Sequence, residues 1–125
     1  MTAGDLLAEL QSAVTAKDLD RLEELFDDET VLFGTAAANL DREQTLSYLR
    51  AVVGQEGTIR WVFDDVVPLV SESDVLCFAA VGTVGLDDDA GQSDGDREPF
   101  RLTCVAVERD GRWRLRHFHG SVPQT

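Results

Sequence analysis

Apolar residues recur every three to four positions in the first half of the chain and every second position through most of the second half. Leu6, Leu7, Leu10, Ala13 and Val14 fall on one face of a first helix, with Asp5 and Glu9 early in it, where negative charge favours the helix dipole. Asp18 is placed to cap a short second helix with the stripe Leu19, Leu22, Leu25 and Phe26, and the acidic Asp27, Asp28 and Glu29 are expected to end it. TVLFGT, residues 30–35, is β-branched and aromatic and suits a first strand. Asp41 can cap a third helix carrying Leu46, Leu49, Val52 and Val53, closed by Gly54 and Gly57.

Beyond residue 57 the pattern is that of strands. Residues 58–67 alternate Ile59, Trp61 and Phe63 against Thr58, Arg60 and Asp64, and Pro68 is expected to interrupt the pairing. Residues 75–86 are more continuously apolar, with Gly82 and Gly85 where a bent sheet needs a residue without a side chain. DDDAGQSDGDRE, residues 87–98, has no periodicity and reads as a solvated hairpin loop; its acidic spacing does not match a helix-loop-helix calcium site. Residues 100–108 and 112–122 form two final strands joined at Asp110-Gly111. Helices followed by a curved, mostly antiparallel sheet define an α+β fold, and 125 residues suit one domain spanning 1–125.

Charge narrows the partners. The chain carries 24 acidic and 11 basic residues, a net −13, and Lys17 is the one lysine beside ten arginines. Such a field repels phosphate backbones and anionic membranes, so neither nucleic acid nor a membrane is an expected partner. An Asp-rich, Lys-poor surface resembles halophilic proteins, whose self-repulsion is screened by a high-salt cytoplasm. No run approaches the ~18 apolar residues of a membrane span, and MTAGDLLAEL has no basic leader, so a cytoplasmic location is expected. Cys77 and Cys104 lie in strand-like runs without CxxC spacing and read as small core residues, not as a disulfide or a metal site.

The candidate chemistry lies at the end of the chain. RWRLRHFHGSV alternates Trp113, Leu115, His117, His119 and Ser121 against Arg112, Arg114, Arg116, Phe118 and Val122. Three arginines are costly to bury, so the histidine face is expected to point inward. A three-residue bulged turn at Arg109-Asp110-Gly111 would pair Thr103 with His117 and Arg101 with His119; a two-residue turn would set Leu102 across from His119. The bulged turn is the expected one because it gathers Arg101, Thr103, His117, His119 and Ser121 into one patch lining a cavity. No nucleotide, flavin or haem motif is visible, no cofactor is expected, and two histidines two residues apart supply at most part of a metal site.

The passage AKDLDRLEELFDDETVLFGT, the segment Arg101-Leu102-Thr103 and the ending WRLRHFHGS resemble the SnoaL-like branch of the NTF2-like superfamily. They are also similar to the association domain of calcium/calmodulin-dependent kinase II, whose last strand has a tryptophan and paired histidines before a serine. The resemblance implies a cone-shaped, cystatin-like roll with a pocket between sheet and helices, and commonly a homodimer through the outer sheet face. It places Arg101, Thr103, Trp113, His117, His119 and Ser121 as pocket candidates. The aspartate-tyrosine set of steroid isomerases finds no match, since Tyr48, the only tyrosine, lies in a helix.

Three functions are compatible with these residues. In the first, a homodimer binds a small acidic or carbonyl-bearing organic ligand, with Arg101 holding the acid and Trp61 and Phe33 stacking on its apolar body. In the second, an isomerase, cyclase or dehydratase uses His119 or His117 as general base, oriented by Asp64 or Asp65, with Arg101 or Thr103 on an enolate oxygen. In the third, the outer face, bearing Phe118, Phe100 and Leu102, serves only assembly.

Overall fold

The computed structural model describes residues 1–88 and 97–123. The expected loop at 87–98 lies largely outside them. Helix α1 (Ala3–Thr15) opens on a reciprocal cap, in which the Asp5 amide donates to Thr2 Oγ1 at 3.1 Å and the Thr2 amide to Asp5 Oδ2 at 3.0 Å. Those bonds favour the charged Asp5 carboxylate and hold its pKa below the ordinary value. Asp18 caps α2 (Leu19–Leu25) and Asp41 caps α3 (Arg42–Gly54), as the sequence predicts. The expected stripe of α1 is buried in full.

Strand β1 (Phe26–Phe33) begins directly after α2, four residues earlier than expected. The acidic run does not simply end the helix. Asp27 is 1 % exposed, accepts the Glu29 amide at 3.1 Å and pairs with Arg109 Nε at 2.7 Å, which joins the start of β1 to a distant strand. The pairing favours the charged Arg109 guanidinium and raises its pKa. Strands β2 (Ala38–Asn39), β3 (Thr58–Ser71), β4 (Val75–Asp87), β5 (Glu98–Arg109) and β6 (Arg112–Ser121) complete one sheet in the order β2-β1-β6-β5-β4-β3. All neighbours are antiparallel except β1 and β6. Pro68 does not end β3; the strand runs on to Ser71 because it forms an edge, where a missing amide costs little, and a register shift follows the proline.

The helices cover one face of this curved sheet, over Phe78 and Ala80 of β4, Leu102, Cys104 and Ala106 of β5, and Leu115 and Phe118 of β6. Full burial of each large apolar side chain contributes about 1.5–3 kcal/mol. Cys104 is a core residue, and burial pushes its thiol pKa up. Cys77, expected in the core, is half-buried on the opposite face because alternation along β4 gives the inward places to Leu76 and Phe78; both cysteines are free.

Thr30 is fully buried in β1, and its hydroxyl has no hydrogen-bond partner among the described residues. Thr30→Val keeps the shape and removes the unmatched hydroxyl, so it is expected to raise stability by about 1 kcal/mol. A urea titration checks this: the midpoint should rise with an unchanged slope.

Candidate functional site

The register of the last hairpin decides where the candidate residues go. Asp110 and Gly111 have φ of 54° and 80°, both left-handed, and Arg109 faces Arg112: the turn has two residues, not the expected three. A bulge in β6 then adds a residue. Ala106 faces Leu115 but Val105 faces His117, with Arg116 as the extra position. Beyond it Thr103 faces His119 and Arg101 faces Ser121.

The bulge also exchanges faces. Leu115 points inward, but so do Phe118 and Gly120, and His117, His119 and Ser121 point away from the helices. Arg101, Thr103, His117, His119 and Ser121 therefore do gather on one face, as expected, but it is the outer face and not a cavity. Phe100, Leu102 and Phe118, expected outside, fill the interior instead. The physical reason is solvation: five polar side chains stay in water while three large apolar ones are buried.

On the outer face Arg101 Nε donates to Ser121 Oγ at 3.0 Å. His117 Nδ1 lies 2.9 Å from the Val31 carbonyl oxygen. Phe33 packs edge-on against both imidazoles, at 5.4 Å from each ring centroid. Phe33 thus belongs with the histidines and not with an interior ligand. Asp64 and Asp65 lie on β3, three strands from β6, or about 14 Å at the usual strand spacing, too far to orient either ring. Trp113 borders a separate open cleft of about 320 Å³ between the helices and the hairpin turn, with Glu9, Arg21, Glu24 and Arg112.

The interior pocket is elsewhere and is small. About 30 Å³ of free space, enough for one or two waters, lies between α1, α3 and the sheet. Its walls include Leu10, Phe26, Leu49, Ile59 and Phe118, with Tyr48 and Trp61 as the polar-tipped members. Trp61 is the one expected ligand residue that reaches it. Its ring lies 6.3 Å from that of Phe118, and its amide donates to Gln11 Oε1 at 2.8 Å, clamping β3 to α1.

Tyr48 was not among the residues singled out. It sits three and four positions from Thr45 and Val52, so the helical spacing of the third apolar stripe was the signal that could have found it. Its half-buried ring borders both the interior pocket and an outer groove with Asn39, Gln44 and Ser47. Burial raises the Tyr48 pKa, so the phenol stays protonated at neutral pH, a hydroxyl able to donate.

An α+β roll with helices covering one face of a curved sheet and a narrow pocket between them is the architecture of the NTF2-like, cystatin-like folds. The chain belongs to the SnoaL-like domain family, whose model matches residues 4–125. No curated protein matches it. Among solved structures, a protein assigned as a calcium/calmodulin-dependent protein kinase II association domain from Xanthomonas campestris is 22 % identical, with a TM-score of 0.81 over 96 % of this chain and 84 % of that one. A protein assigned as an NTF2-like dehydratase from Streptomyces avermitilis is 14 % identical, with a TM-score of 0.82 over 98 % and 94 %. An NTF2-like protein of unknown function in nutrient uptake from Rhodospirillum rubrum is 20 % identical, with a TM-score of 0.75 over 99 % and 100 %. Likenesses at these identities establish the fold alone.

Proposed function

We propose that the chain acts as a homodimer, two copies meeting through their outer sheet faces, and that each copy holds a small, largely apolar, carbonyl-bearing molecule in its interior pocket. The observation that carries the dimer is charge. The outward positions in the middle of the sheet, Cys77, Ala79, Val81, Thr83, Arg101, Thr103, Val105, His117 and His119, include no carboxylate, although the whole chain carries 24. Val81 is exposed there, as are Val67 and Val70 on the edge strand β3, where Asp65, across from Val81, is a carboxylate at the margin of this face. On a molecule of charge −13, this is where two copies can approach without acid facing acid. Light scattering tests it, with twice the chain mass expected at micromolar concentration; a monomer at high concentration would rule it out.

The ligand reading rests on Tyr48. Its ring lines the apolar pocket while its protonated hydroxyl lies at the rim beside Gly34, where it suits the carbonyl oxygen of a molecule reaching that end, whereas a carboxylate would find no cation among the pocket's lining residues and would be costly to bury. Arg101, on the outer face, does not hold an acid there. The pocket must widen as Trp61 or Phe118 turns aside, which favours a small molecule. Binding is a better reading than turnover because His117 and His119 lie outside the pocket and Tyr48 is a donor, not a base. Tyr48→Phe is expected to weaken retained ligand at least tenfold while leaving the melting temperature within about 3 °C. Mass spectrometry of small molecules released from native and variant protein reads this, and equal retention by both would exclude the Tyr48 contact.

A further inference from the structure

We propose that His117 and His119 form a chelating site for a divalent transition-metal ion on the outer sheet face. The two imidazoles stand two residues apart after the β6 bulge, on one side of the sheet, where alternation brings them together. A carbonyl oxygen can only accept, so the 2.9 Å contact to Val31 requires the proton of His117 on Nδ1. That leaves the Nε2 lone pair free, the arrangement in which a backbone carbonyl fixes the tautomer of a metal-binding histidine. His119 is exposed and has no hydrogen bond to restrain it among the described residues.

Geometry fits with a small adjustment. The ring centroids are 6.1 Å apart and the planes are inclined by 59°. Two imidazoles on one tetrahedral ion, with bonds of about 2.0–2.1 Å, hold their centroids about 5.2 Å apart. Closing the difference of roughly 1 Å takes a rotation of the exposed His119 ring alone, and Phe33, edge-on to both rings, stays as the wall behind them. Neutral imidazole selects zinc, copper or nickel over calcium or magnesium. Among the described residues no third histidine, cysteine or carboxylate joins the pair, so water completes the coordination, or the same pair on a second copy where the faces meet. The site does not depend on dimerisation.

The test is a calorimetric titration of the chelator-stripped full chain with zinc chloride, with the visible absorption of added cobalt as a second readout. One ion per chain, or one per two chains, is expected. His119→Ala and His119→Gln, at an exposed position, should each weaken binding at least tenfold, as should His117→Ala; Cys77→Ser should not. Absence of zinc binding, undiminished binding in the His119 variants, or loss in Cys77→Ser alone would each overturn the proposal.

Discussion

Replacing Gly82 by alanine is expected to cost about 3 kcal/mol, although the change adds a single carbon. Gly82 faces Phe63 across the β3–β4 ladder, where β3 shifts register before Asp65. A Cβ at position 82 would lie 1.9 Å from the Val62 carbonyl oxygen and 2.7 Å from Phe63 Cα. Both are backbone atoms, so no rotamer change relieves the overlap; β3 must move away and lose ladder bonds on either side. Thermal unfolding followed by circular dichroism should show a fall of roughly 10 °C. Gly54→Ala is the matched control, since a Cβ there meets nothing within 4 Å. Equal melting temperatures for the native chain and Gly82→Ala would mean that the sheet does not bend there as described.

Introducing a carboxylate at the centre of the outer face should have the largest effect on assembly. Ala79 faces Thr103 on one side and Val67 on the other, with no charged residue directly across. Ala79→Glu would place two like charges in a desolvated contact between copies, and a hundredfold weaker dimer, about 2.8 kcal/mol, is expected. The side chain points away from the helices, so the folded monomer should survive. Sedimentation equilibrium together with a melting curve separates the outcomes: monomers of native stability support the interface, and a dimer of native strength removes this face from it.

Much of the fold was legible along the chain because local chemistry determines it. The caps Asp18 and Asp41, the stripe Leu6, Leu7, Leu10, Ala13 and Val14, and the inward set Ile59, Trp61 and Phe63 of β3 all follow from spacing and from side-chain oxygens near free amides. The early start of β1 was not legible. An acidic run after a helix reads as a solvated end unless the distant Arg109 that pairs with Asp27 is known.

The candidate site divides along the same line. Sequence by itself determined that His117, His119 and Ser121 share one face of their strand and that Arg101 and Thr103 share one face of theirs, because a strand's side chains alternate whatever lies around them; that the two sets coincide was set by the register. Which face that is was decided by the two-residue turn and by one extra residue at Arg116, and each such step exchanges the two sides of a strand. A bulge is a tertiary choice. It lets Leu115 and Phe118, separated by two residues, both point into the core, and the gain in buried apolar surface outweighs the ladder bonds it interrupts. Tyr48 reached its place beside the pocket in the same way: helical spacing put it near the apolar stripe, and only the packing of α3 against β1 set its hydroxyl beside Gly34.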